Sequence, residues 1–153
     1  MLYDLLRFLH LLAVLIWVGG MFLMHVAVRP TAVALLPPPQ RLPLLAGVLG
    51  RFFAWVLVSV LILLGSGVAM ILLAGGWRAV PASTHAMFAL RLLRSAIFGY
   101  IRAVPFPRLR AAVAAQQWPQ AAARLETIRR LVAVNLMLGV LTVAVATLGR
   151  GMS

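Results

Sequence analysis

The chain has no cysteine, which excludes disulfides, thiolate metal sites, iron–sulfur clusters and thiol nucleophiles. It has no lysine, so a Schiff base is excluded too; all 14 basic residues are arginine. Only two carboxylates occur, Asp4 and Glu126, one near each surface of the expected bundle. Paired-carboxylate acid–base chemistry needs two such groups at one place, and hydrolysis is set aside. There is no Walker loop, dinucleotide fingerprint, HExxH or GxSxG motif, and no catalytic residue is assigned. Charged residues amount to 10% of the 153, where a soluble domain carries about a quarter. That is too little polar surface to cover a globule in water. What is abundant is apolar: 64% of residues are hydrophobic. The composition places the chain in a lipid bilayer.

A hydrocarbon core takes about 20 apolar residues per helix. Four runs qualify, at about residues 5–28, 52–74, 83–104 and 131–148. The third contains Arg91 and Arg94 and is still expected to span, because three spans would leave an apolar arm in water. The expected fold is an all-α integral membrane protein, an antiparallel four-helix transmembrane bundle forming a single domain over 1–153. The N-terminus lacks the marks of a cleaved signal peptide: Asp4 stands where a basic region belongs, and Arg29-Pro30 replaces a small-residue cleavage site. The first span is expected to remain.

The connections are short. Pro37-Pro38-Pro39 predicts a stiff extended stretch between the first two spans. Gly75 to Pro81 predicts a tight turn. The longest link predicts a helical piece over Leu109–Gln117, a break at Trp118-Pro119, then a helix running into the fourth span, with Pro119 in its first turn. Glu126 and Arg130 are spaced to pair. Nine arginines (29, 41, 51, 102, 108, 110, 124, 129, 130) fall on one side and three (Arg7, Arg78, Arg150) on the other. Flanking Arg orients spans with the basic side inside, so both termini are expected in the periplasm. The net charge of +12 is read as this flanking charge, not as a nucleic-acid surface.

Polar side chains inside a membrane are costly and mark sites by default. In the first helix His10, Val14, Trp17, Met21, Met24, His25 and Val28 form one stripe at helical spacing. Gly19 and Gly20 allow close backbone approach. In the third helix His85, Ala89, Leu92, Ala96, Gly99 and Ala103 share one face, with Met87, Arg91, Arg94, Phe98 and Arg102 roughly opposite. Small faces serve tight helix packing or leave room for a flat cofactor. With helices one and three parallel, His10 and His85 both stand near helix starts and are expected at one depth, with Met70 or Met87 nearby. His25 lies fifteen residues from His10, roughly 22 Å along a helix, too far to share an ion. Imidazole with thioether suits copper, making His10, His85, Met70 and Met87 the candidate metal ligands. Two imidazoles on facing helices also suit haem b, with Trp17 on the cofactor-facing stripe. Arg91 and Arg94 have no acid beside them; they snorkel, bond backbone carbonyls, or meet an anion such as a haem propionate, a phospholipid or a partner's acid. Ser59, Ser66 and Met70 on helix two, and Asn135, Gly139, Thr142 and Ala146 on helix four, form mild polar seams.

The segment LHLLAVLIWVGGMF, with its His–x6–Trp–x–Gly–Gly pattern, resembles the opening helix of CopD-type copper-resistance membrane proteins. RPTAVALLPPPQRL, GRFFAWV, STHAMFAL and IRRLVAVNLMLGVLTVAVATLG are similar to the small four-helix CopD-like proteins of Gram-negative bacteria. The resemblance implies a multi-pass protein of the bacterial inner membrane that handles copper, corresponding to the C-terminal portion of longer CopD proteins. A more distant resemblance is to HemJ, the membrane protoporphyrinogen oxidase. There His10 matches the first-helix His, and His85 and Met87 match the His and Lys of a His-x-Lys, with Met in place of Lys. This implies haem bound in an analogous pocket.

Three functions stay open from the sequence: copper handling at a periplasmic-side His/Met site, a small bis-His b-type cytochrome passing electrons, and a metal-free structural subunit of a larger membrane complex. The expected partners are the lipid bilayer, and other membrane subunits or further copies of the chain.

Overall fold

The computed structural model describes residues 1–148; Arg150, counted above among the outer arginines, and the C-terminus lie outside them. The described residues are helical almost throughout, with no strand. We label the helices α1 (Leu2–Leu35), α2 (Pro38–Leu73), α3 (Ala82–Ala103), α4 (Pro105–Ala114) and α5 (Trp118–Leu148). α1, α2 and α5 are each long and apolar enough to cross a membrane. α3 has 22 residues, a spanning length, but its arginines lower its apolar character; Arg91 and Arg94 are buried inside the bundle. Exposed Leu11, Leu15, Phe22, Leu61 and Met137 turn outward, the surface that lipid covers.

The first two helices run past the expected spans. α1 continues through Arg29-Pro30 to Leu35, with π-helical turns at Leu15–Gly19 and Met24–Val28. A proline inside a helix removes one backbone donor and crowds the carbonyl four residues back, and a wider turn just before it relieves that crowding. The three-proline stretch is a correction. Only Pro37 is extended, at φ −66° and ψ 159°; Pro38 and Pro39 open α2. The first turn of a helix has unbonded N–H groups anyway, so proline fits there without loss. α4 likewise begins earlier than expected, on Pro105, and ends at Ala114 before a turn in which Gln116 takes φ 54°. Pro119 sits in the first turn of α5, as its position suggested. The α2–α3 turn uses Gly75 and Gly76 at φ 100° and 90°, a region side chains resist.

At the opposite end of the bundle from that turn, Glu126 bonds Arg129 and Arg130 and lies 3.8 Å from Arg29, tying the end of α1 to α5. The hydrogen bonds from Arg129 and Arg130 hold its carboxyl at about 2, below the usual range.

An aromatic column joins four helices. Trp17 meets Phe98 edge-on at 6.3 Å, Phe98 meets Phe53 at 5.7 Å, and Phe53 meets Phe106 at 5.0 Å. Each such pair adds about 0.5–1.5 kcal/mol beyond its area. Phe53→Leu keeps apolar volume and loses two of these contacts, so it is expected to cost about 1–3 kcal/mol. Unfolding in detergent checks this, with the outward Phe22→Leu as a control expected to change little.

Candidate functional site

The contact points of the interior cluster share faces because each helix places them at helical spacing. His10 and Trp17 are seven apart on α1, Leu63 and Gly67 four apart on α2, Arg91 and Arg94 three apart on α3, and Asn135 and Gly139 four apart on α5. These spacings put each pair on one face. His10, Trp17, Ser66, Arg91, Arg94 and Asn135 are all buried.

Hydrogen bonding fixes the state of His10. Ser66 donates its hydroxyl proton to the Ile62 carbonyl at 2.6 Å, so its oxygen is left to accept from His10 Nδ1 at 2.7 Å. Arg91 Nη2 donates to His10 Nε2 at 2.8 Å. An arginine can only donate, so Nε2 must be the bare nitrogen and the imidazole is neutral, protonated on Nδ1. Arg91 Nη1 donates to the Leu63 carbonyl at 3.0 Å. That carbonyl is within reach because position 67 is glycine: a Cβ there would collide with Arg91 Nη1. A side chain four residues on ordinarily shields a helical carbonyl; Gly67 leaves it open.

Arg94 forms the second half. Its Nε donates to Asn135 Oδ1 at 3.0 Å, and Asn135 Nδ2 returns a bond to the Arg94 carbonyl at 3.0 Å. The guanidinium lies over Trp17, 4.2 Å from the ring centroid. Its Nη2 is buried and has no acceptor among the described residues. A Cβ at Gly139 would sit 3.0 Å from that nitrogen, so here too a glycine makes the space. The cluster holds two guanidiniums and no carboxylate: Asp4 bonds the N-terminus and Glu126 bonds arginines.

The structure thus brings together His10, Trp17, Arg91 and Arg94. It does not bring His85 to them. Six residues separate His85 from Arg91, roughly 9 Å of helix, so His10 meets α3 more than a turn deeper than expected. His85 is exposed, and its ring lies 5.7 Å from Trp77 of the turn. The small-residue face of α3 is a correction. Ala89, Leu92, Ala96, Gly99 and Ala103 are exposed, while Arg91, Arg94 and Phe98 face inward. Two guanidiniums facing lipid would cost far more than a lost small-residue seam returns, and their burial sets the rotation of the helix. Met70 and Met87 are half-buried near the α2 and α3 ends that the turn joins, and His25 is half-buried toward the other end.

As a metal or haem site the His10 cluster fits poorly. A copper ion on Nε2 would have to displace Arg91 and then stand beside two unpaired cations. A haem iron would need the same nitrogen. The described residues include no group of three or more His, Cys, Asp or Glu that could hold a metal.

Sequence reasoning missed the partnerships, Ser66 with His10 and Asn135 with Arg94, although it placed both residues on inward seams. The available signal was the glycine one turn beyond a polar contact point, at 67 and 139.

Compared with known proteins, residues 46–148 match the family model described as CopD, copper resistance protein D. No curated protein and no solved structure matches the chain.

Proposed function

The chain belongs to the copper resistance protein D family, and from that premise we propose that it handles copper at the membrane face carrying the α2–α3 turn, with His85 as the donor open to an incoming ion. One observation carries this reading. Both nitrogens of His10 are engaged, whereas His85 is exposed and has no hydrogen-bond partner among the described residues. Met70 and Met87 are the thioethers near that end, the soft donors that suit copper. The His10–Arg91–Arg94 cluster serves in this reading as a fixed support that sets the rotation of α3 and so the position of His85. The arginine asymmetry supports placing the turn on the periplasmic side of an inner membrane.

The experiment is a copper(I) titration of the purified full chain in detergent, with a competing chelator. His85→Ala is expected to weaken binding by about tenfold or more, as loss of a ligand worth over 1.4 kcal/mol would. His10→Ala is expected to lower stability and leave copper affinity near that of the parent chain. Equal affinity in His85→Ala and the parent would overturn His85 as the ligand, and absence of copper binding in the parent would favour a metal-free subunit. Loss of copper in His10→Ala with the fold intact would move the site to the interior.

A further inference from the structure

At the end of the bundle away from the α2–α3 turn, α2, α3 and α4 leave a cleft of about 490 Å³ between them. Three arginines line it, one from each helix: Arg51, Arg102 and Arg110. None makes an ion pair among the described residues. Three cations facing one cleft repel each other unless an anion lies between them. Glu126 is engaged with Arg29, Arg129 and Arg130, and Asp4 with the N-terminus, so the described chain offers no spare carboxylate.

The cleft is kept open by its wall. A Cβ at Gly47 would meet nothing within 4 Å, and one at Gly50 would only touch the Phe106 ring at 3.4 Å. Phe106 supplies apolar surface beside Arg102, whose guanidinium is 6.0 Å from the ring centroid. The position in the membrane follows from the sequence. Arg51 directly precedes the apolar run of α2, and Arg102 stands at the last turn of α3. The cleft therefore sits where hydrocarbon meets headgroups, with cations and an apolar wall side by side. Arginine forks bind phosphate oxygens in pairs, and basic pockets between spanning helices take lipid headgroups.

We propose that this cleft binds a phosphate group, with Arg51, Arg102 and Arg110 as the ligands and an anionic phospholipid headgroup as the source. Inorganic phosphate offers the same oxygens without the acyl chains, and the two sources separate experimentally.

The full chain is purified in a neutral detergent, and binding is measured for phosphatidylglycerol, for phosphatidylcholine and for inorganic phosphate alone. Phosphatidylglycerol is expected to bind and raise the unfolding midpoint, with phosphatidylcholine well behind it. Arg51→Gln with Arg110→Gln is expected to weaken that binding by about tenfold or more, the loss of one or two charge-assisted bonds. Gly47→Leu keeps every charge and fills open space, so the fold survives while binding falls. Arg108→Gln with Arg124→Gln, which removes exposed arginines of the same side outside the cleft, is expected to leave binding unchanged. If inorganic phosphate binds and shows the same dependence on Arg51, Arg110 and Gly47 while the lipid does not, the phosphate site stands and its source is the free ion. If neither binds, or if Gly47→Leu has no effect, or if the Arg108/Arg124 control weakens binding as much as the cleft pair, the proposal is overturned.

Discussion

Replacing Asn135 with leucine is expected to cost about 2–3 kcal/mol, the upper range for a buried hydrogen bond to a charged group. The amide accepts from Arg94 Nε and returns a bond to the Arg94 carbonyl; leucine strands the Nε donor and removes the second bond from a carbonyl that keeps its place in the α3 ladder. Arg94 Nη2 already lacks an acceptor, and the mutant guanidinium would keep little beyond the face of Trp17. Removing the charge as well reverses the loss. Arg94→Met with Asn135→Leu exchanges the pair for apolar side chains of similar size, which is often neutral or stabilising in a buried site. A double-mutant cycle in detergent is the measurement, and the double variant is expected to unfold close to the parent chain. If the two single losses simply add, the residues are not coupled and the cluster is misread.

The second large effect is expected at Gly67. Alanine there places a methyl on Arg91 Nη1 and 3.6 Å from His10 Cε1. The tip of an arginine is ordinarily free to move aside. Here it is held by the Leu63 carbonyl and by His10, so retreat breaks a charge-assisted bond in the interior. Loss of that bond corresponds to about 2–3 kcal/mol. Gly65→Ala is the matched control, because a Cβ at that position meets nothing within 4 Å. It is expected to be neutral or slightly stabilising, since alanine favours helix over glycine by up to about 1 kcal/mol. Equal destabilisation by the two changes would mean that the methyl acts on the helix and not on Arg91.

The long helices were legible because a bilayer imposes a length and a polarity on every crossing: α1, α2 and α5 meet both, and α3 meets the length. The inward stripe of α1 was legible for a similar reason: His10, Trp17 and Met21 recur at helical spacing and are all buried. The rotation of α3 was not. Two faces competed, one of small residues ending at His85 and one carrying Arg91 and Arg94. Periodicity treats them alike, and the choice rests on acceptors supplied by other helices. Leu63 contributes only a backbone carbonyl, which no sequence pattern displays. The depth of His10 was misjudged for a related reason. Counting residues from each helix start assumes that the helices begin level, whereas contact with Arg91 sets the offset. The proline stretch misled because three prolines in a row suggest an extended rod, while the last two also fit the opening turn of a helix.

Arg91 and Arg94, the two buried arginines of α3, also bear on the order in which the chain is assembled. A guanidinium at the centre of an inserting helix costs about 2.5–3.5 kcal/mol, so α3 entering lipid alone would carry that penalty twice. Synthesis proceeds from the N-terminus, and α1 and α2 are made first. His10, Trp17 and the Leu63 carbonyl are then in place to receive Arg91 and the face of Arg94 as α3 emerges. The amide that receives Arg94 Nε belongs to α5 and arrives last. The final helix thus acts as the latch of the assembly: until Asn135 docks, Arg94 rests on the face of Trp17 alone, and a chain truncated before α5 leaves the Arg94 Nε without an acceptor.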